Sequence, residues 1–151
     1  MSEEKIILGI DPGTTIMGFG LIKKKGAKLE MIMMDVLLLN KIKDPYLKLQ
    51  KIFDETSAIL DHYHPDEVAL EAPFFGKNVQ SMLKLGRAQG VAMAAALQRE
   101  VPVTEYAPLK IKKSITGRGA ASKEQVAGML MQMLNLKEMP KYLDATDGLA
   151  A

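Results

Sequence analysis

Four acidic residues stand at positions where carboxylates can act together, namely Asp11, Glu71, Asp144 and Asp147. Asp11 and Glu71 each end a short apolar run, whereas Asp144 and Asp147 are three residues apart and share one face of a helix. Gathered carboxylates repel one another unless a cation neutralises them. Such ligands select Mg²⁺ or Mn²⁺, and two ions about 3.5–4 Å apart support phosphoryl transfer. The set predicts a metal site for phosphodiester hydrolysis, although each acid alone also fits an ordinary turn, strand-end or helix position.

Five apolar segments predict the strands that position these acids. The first is a continuous apolar run closed by Pro12 and Gly13, which is typical of a strand buried on both faces. It places Asp11 at a strand end, and the fourth segment places Glu71 in the same way. The predicted strands are residues 5–11, 18–22, 28–39, 66–71 and 101–106. We therefore expect the first two acids to share one edge of a sheet.

Apolar residues at helical spacing predict the helices. The first helix ends before Pro65 and the second ends at Gln98. The predicted helices begin at Pro45, at Asn78, at the capping box of residues 122–125 and at Asp144. This order predicts a single α/β domain over residues 1–151, in which helices flank a five-stranded mixed sheet of three antiparallel strands followed by two parallel strands.

Basic and aromatic residues indicate contact with a nucleic acid. Lys123 falls in the first turn of a predicted helix, where it opposes the helix dipole unless an anion such as a phosphate binds there. A lysine extended into solvent explains the same position at little cost. Lys112 belongs to the basic stretch just before it. Phe74 and Phe75 are adjacent in a loop, which is either a buried anchor or a wedge that stacks on bases.

Composition excludes several classes of protein. The chain has 151 residues, 48% hydrophobic and 25% charged, which is ordinary for one globular domain and excludes intrinsic disorder. The absence of cysteine excludes disulfides, thiolate zinc sites and cysteine nucleophiles, and fits a reducing cytoplasm. The longest apolar run, residues 91–97, is far shorter than a membrane span, and the N-terminus does not read as a signal peptide.

Taken in order, five motifs resemble one family. They are Ile7–Gly13, Ala69–Glu71 followed by Phe74, Leu83–Ala88, Gly119–Gln125 and Asp144–Leu149. The set spans nearly the whole chain and is similar to the RuvC family of bacterial Holliday junction resolvases. The resemblance implies an RNase H-like fold, Mg²⁺-dependent nicking of two opposed strands of a four-way DNA junction during recombination and repair, and cooperation with the RuvA–RuvB branch-migration motor in the cytoplasm.

The resemblance also implies roles for individual residues. The catalytic acids of the family fall on Asp11, Glu71, Asp144 and Asp147, its DNA-contacting basic residues on Lys112 and Lys123, and its aromatic wedge on Phe74. The helix of residues 78–98 is implied to form a homodimer. Members of the family continue the final helix, so we expect a less well anchored final helix in a chain that stops at Ala151.

Parts of the sequence also suggest three other functions. Gly9–Thr15 is similar to the phosphate loop of sugar kinases and actin-like ATPases, but their fold needs a second domain and several hundred residues. A non-catalytic junction-binding module would lack the acids, which are all present. The remaining alternative is an RNase H-like nuclease acting on RNA or an RNA–DNA hybrid, against which Phe74 and the lysine pair favour junction DNA.

Overall fold

A computed structural model describes residues 3–72, 76, 78–117, 122, 125 and 150. In this part of the chain five strands form one sheet with three helices. The strands are β1 (Glu4–Asp11), β2 (Ile16–Lys25), β3 (Lys28–Leu38), β4 (Glu67–Glu71) and β5 (Val103–Tyr106). The helices are α1 (Pro45–Tyr63), α2 (Val79–Gln98) and α3 (Pro108–Thr116).

The strand order is β3-β2-β1-β4-β5. β1 pairs with β2 and β2 with β3 in antiparallel fashion, whereas β1 with β4 and β4 with β5 are parallel. The predicted α/β class and mixed five-stranded sheet are therefore confirmed. β1 lies at the centre, so the strand that ends in the first acid has a hydrogen-bonded neighbour on each side.

One face of the sheet carries the core. Leu8 and Ile10 of β1 are fully buried, and the register places Ile10 between Phe19 of β2 and Leu70 of β4. These side chains form one cluster with buried residues of α1 and α2. The α2 contribution is made of alanines, which are Ala88, Ala92, Ala95 and Ala96. Truncating a large residue of such a core costs about 2–5 kcal/mol, so β1 is firmly held.

The ends of α1 follow the sequence signals. The Asp44 carboxylate accepts hydrogen bonds from the backbone N–H groups of Tyr46, at 2.8 Å, and Leu47, at 3.4 Å. At the other end His64 adopts a left-handed conformation with φ 48°, and its backbone N–H donates to the carbonyl oxygen of Leu60. The helix is thus capped at both ends, as expected from the prolines beside them.

The helix α3 was not predicted. Residues 108–116 alternate apolar and basic side chains at Leu109, Lys110, Ile111 and Lys112, a pattern that favours a strand. The structure forms a helix because Pro108 opens its first turn and Gly117, with φ 79°, ends it. α3 precedes the helix predicted from the capping box.

The predicted capping box itself is present. The backbone N–H of Ser122 donates to Gln125 Oε1 at 2.9 Å, and the backbone N–H of Gln125 donates to Ser122 Oγ at 3.2 Å. The rest of that predicted helix, and the one predicted from Asp144, lie outside the described residues apart from residue 150. Among the helices of the described ranges, none has the length and apolar character needed to span a membrane.

Candidate active site

Two of the four predicted catalytic acids meet at one edge of the sheet. The parallel pairing of β1 with β4 sets Ile10 opposite Leu70, so the next residues, Asp11 and Glu71, leave the sheet from neighbouring strand ends. Adjacent strands are about 4.7–4.9 Å apart. Both acids are half-buried and line one cavity of about 170 Å³. The prediction that these two acids share a sheet edge is confirmed.

The turn after Asp11 is fixed by its surroundings. A Cβ placed on Gly13 would lie 2.0 Å from the carbonyl oxygen of Ile16, so only glycine fits there. The carbonyl oxygen of Thr15 accepts a hydrogen bond from the backbone N–H of Leu39 at 2.8 Å, and that of Thr14 accepts one from Lys48 Nζ at 3.2 Å. Strand β1 and these contacts therefore hold Asp11 in one place.

Sequence reasoning missed a buried glutamine beside these acids. Gln89 of α2 is 5% exposed and lines the same cavity as Asp11 and Glu71. Its Nε2 donates to Glu105 Oε2 of β5 at 3.1 Å, which ties α2 to the strand next to β4. The sequence offered one signal for this glutamine. Gln89 is a polar residue among mostly apolar neighbours of a helix, and it follows Leu85, which also lines the cavity, by one helical turn.

Lys112 lies on the helix that closes another side of the cavity. Pro108 at the start of α3 lines the cavity, and Lys112 follows it by one helical turn, which places both on one side of α3. Lys112 is half-buried, and its carbonyl oxygen accepts a hydrogen bond from Thr116 Oγ1 at 2.8 Å. The position is compatible with a phosphate contact near the acids, and the contact itself stays a prediction.

The remaining predicted site residues, Phe74, Lys123, Asp144 and Asp147, lie outside the described residues. Over residues 3–72, 76 and 78–117 together with 122, 125 and 150, no three His, Cys, Asp or Glu side chains gather as a metal site. The described pair Asp11 and Glu71 nevertheless fits a hard cation, because both residues carry carboxylate oxygens and line one cavity. Such a pair can hold a divalent ion against a phosphodiester.

Two ion pairs away from the cavity shift the pKa of their members. Lys5 Nζ lies 2.7 Å from Glu67 Oε1, and this hydrogen bond raises the pKa of Lys5. The hydrogen bond from Arg99 Nε, at 2.6 Å, lowers the pKa of Asp61. Lys5 and Glu67 sit at the starts of β1 and β4, the opposite ends from the two acids. None of these four residues lines the cavity of the two acids.

Comparisons with known proteins agree with this geometry. A family model described as "Crossover junction endodeoxyribonuclease RuvC" matches residues 7–151. The protein of that name from Christiangramia forsetii is 68% identical, with 100% of this chain and 79% of the relative covered. The protein of that name from Bacteroides fragilis is 64% identical, with 99% of this chain and 80% of the relative covered. A structure of Thermus thermophilus RuvC in complex with a Holliday junction substrate is 33% identical, with a TM-score of 0.89 over 97% of this chain and 89% of that one.

Proposed function

Because the chain belongs to the RuvC family of crossover junction endodeoxyribonucleases, we propose how its own residues carry out the cleavage. The enzyme is an endonuclease that resolves four-way DNA junctions in recombination and repair. The observation that carries the proposal is the placement of Asp11 and Glu71 at adjacent ends of β1 and β4, where both line one cavity. A pair of carboxylates on a rigid sheet is a suitable support for phosphodiester hydrolysis.

In this proposal Asp11, Glu71, Asp144 and Asp147 hold Mg²⁺, two ions for each active site, with Mn²⁺ able to substitute. When bound, the metal stabilises negative charge on the phosphate and lowers the pKa of the attacking water. The turn around Gly13 keeps the Asp11 carboxylate in place.

The remaining site residues hold the DNA in this proposal. Lys112 and Lys123 bind phosphates beside the cut, and Phe74 stacks on a base that the open crossover has unstacked. Stacking on an aromatic side chain is worth about 1–3 kcal/mol per base. Linear duplex offers no unstacked base at its centre, so Phe74 contributes to the preference for a junction.

A homodimer through α2 supplies the two active sites that two opposed cuts require. Residues spaced by four, three, four and then seven positions form an exposed stripe on one face of α2, and they are Val79, Leu83, Gly86, Gly90 and Leu97. Val79, Leu83 and Leu97 are 67%, 58% and 59% exposed. A Cβ placed on Gly86 or Gly90 meets no atom of the described chain within 4 Å, so neither glycine is explained by packing against the chain's own sheet. Both glycines instead suit close approach of a second α2 across a two-fold axis.

The dimer proposal is tested by charging this stripe. Leu83→Glu should convert the dimer to a monomer in sedimentation experiments at micromolar concentration, because it buries a carboxylate at the interface. Leu47→Glu is the matched control, since Leu47 is 53% exposed on α1 outside the stripe. A wild-type chain that sediments only as a monomer would contradict the proposal.

The substrate is tested with a panel of nucleic acids. Four-way DNA should be nicked on two opposed strands only when Mg²⁺ or Mn²⁺ is present, whereas three-way and linear DNA should be cut far less. Preferential cutting of an RNA–DNA hybrid would assign the active site to RNA instead. We further propose cooperation with RuvA–RuvB in the bacterial cytoplasm, which predicts faster resolution of a long junction when that motor and ATP are added.

A further inference from the structure

A second cleft, separate from the cavity of the acids, lies between the start of α1 and the middle of α2. It has a volume of about 380 Å³, and four cationic side chains line it, which are Lys43, Lys48, Lys84 and Arg87. We call this group the basic cleft. The lining includes Tyr46, which is 75% exposed at the rim, and none of the lining residues is acidic.

The charges of the basic cleft are not compensated within the described part of the chain. Lys43, Lys84 and Arg87 are exposed and form no ion pair with a described carboxylate. Lys48 is half-buried, and its Nζ donates to the carbonyl oxygen of Thr14 at 3.2 Å. Four cations around one concave surface raise the local concentration of anions there.

The basic cleft lies next to the acids, on another face of the same helix. Lys84 and Arg87 line the basic cleft, whereas Leu85 and Gln89 line the cavity of Asp11 and Glu71. At 100° per residue the members of one pair point about 100–160° away from the members of the other. The exposed stripe with Gly86 and Gly90 occupies the third face of α2. The turn between β1 and β2 contributes to both, because Pro12 lines the cavity of the acids and Thr14 and Thr15 line the basic cleft.

We infer that the basic cleft is a second phosphate-binding site, which receives the sugar-phosphate backbone of a junction arm as it runs away from the acids. The inference rests on the proposed function, because it adds a contact with the same DNA. Lysine and arginine are the side chains that bind DNA phosphates, and an exposed aromatic ring beside them can pack on a sugar or a base. The contact is independent of sequence and positions the strand over Asp11 and Glu71.

The test is the salt dependence of binding to four-way DNA, measured in a Glu71→Gln background so that the DNA is not cut. The double variant Lys84→Gln with Arg87→Gln should flatten the slope of log K against log salt by about 1.8, because each lost phosphate contact removes roughly 0.9. Lys43→Gln, which lies outside α2 and its exposed stripe, should flatten it by about 0.9. Lys48 is left in place because it supports the turn after Asp11.

The matched control is Lys24→Gln with Lys25→Gln, which removes the same charge from exposed lysines on β2. In the antiparallel register Lys25 lies opposite Glu4 at the start of β1, which is the end of the sheet opposite Asp11. This control should leave the slope unchanged. The inference is overturned if both cleft variants keep the wild-type slope while wild-type chain binds and cuts four-way DNA. That result leaves the proposed function intact. If wild-type chain fails to bind the junction, the proposed function is contradicted. The slope of log K against log salt is then measured on linear duplex, where an unchanged slope in both cleft variants overturns the inference.

A small anion is the other possible source of phosphate. Under the inference, millimolar inorganic phosphate should leave the melting temperature of wild-type chain unchanged within a degree, because a single small ion cannot contact all four cations of a cleft of about 380 Å³ at once. A phosphate-dependent rise that the Lys84→Gln with Arg87→Gln variant abolishes, together with an unchanged DNA slope, would assign the cleft to a free phosphate compound and overturn the inference.

Discussion

Replacing Gly13 by alanine tests whether the turn after β1 positions the first acid. An alanine Cβ would lie 2.0 Å from the Ile16 carbonyl oxygen, whereas real Cβ atoms essentially never come closer than 3.0 Å. The backbone must therefore move by about 1 Å, and Asp11 is only two residues away. A misplacement of about 1 Å in an active site can cost about 100-fold in rate. We expect Gly13→Ala to slow nicking of four-way DNA by about that factor.

The assay compares nicking with binding and with stability. Gly13→Ala should keep most of its affinity for four-way DNA, because the proposed contacts of Lys84, Arg87 and Lys112 come from residues outside the turn. It should lose about 0.5–3 kcal/mol in its free energy of unfolding. Ile59→Val provides the control, since it removes a buried methyl group at a cost of about 0.5–1.5 kcal/mol without touching the turn. Gly13→Ala that cuts as fast as Ile59→Val would refute the reasoning.

Three further predictions concern DNA contacts and stability. Lys112→Ala and Lys123→Ala should each flatten the slope of log K against log salt by about 0.9 if one phosphate contact is lost, and an unchanged slope with unchanged cleavage would make both lysines ordinary surface residues. Phe74→Ala should slow junction cleavage about 10-fold or more, or about 1.4 kcal/mol, while Phe74→Trp keeps much of it; a melting temperature several degrees lower with normal cleavage would instead mark core packing. Arg99 lowers the pKa of Asp61, so the stability that distinguishes wild type from Asp61→Asn should be present above pH 3.8 and fade as pH falls below that value in denaturant titrations. A difference that persists at low pH would contradict this assignment.

Local sequence signals were sufficient for the strands that end in Asp11 and Glu71. A short apolar run can form a buried strand, and a carboxylate at its end cannot enter the core, so it lies at the sheet edge. The parallel register that brings the two acids together follows from the connection through α1, whose start Asp44 and Pro45 also signalled. These local features were enough to predict that the two acids share a sheet edge, whereas the pairing of β1 with β4 came from the structure.

The parts that sequence reasoning missed depend on contacts between distant segments. Gln89 and Glu105 meet because α2 packs near β5, and neither residue signals the other. The basic cleft joins Lys43 to Lys84 and Arg87 across a gap of about 40 residues, so no local pattern reveals it. Helix α3 was missed for a different reason. Lysines alternate with apolar residues at its start, and this alternation is typical of a strand and not of a helix.

The central claim is that Asp11 and Glu71 belong to one metal-dependent active site for junction DNA. The most direct measurement is the nicking of a synthetic four-way junction with Mg²⁺ by Asp11→Asn and by Glu71→Gln, alongside the affinity of each variant for the same junction. We predict that neither variant produces nicks above background while both bind the junction nearly as tightly as wild type, since binding rests on phosphate contacts elsewhere. Cleavage at the wild-type rate by either variant would remove that acid from the site and contradict the account.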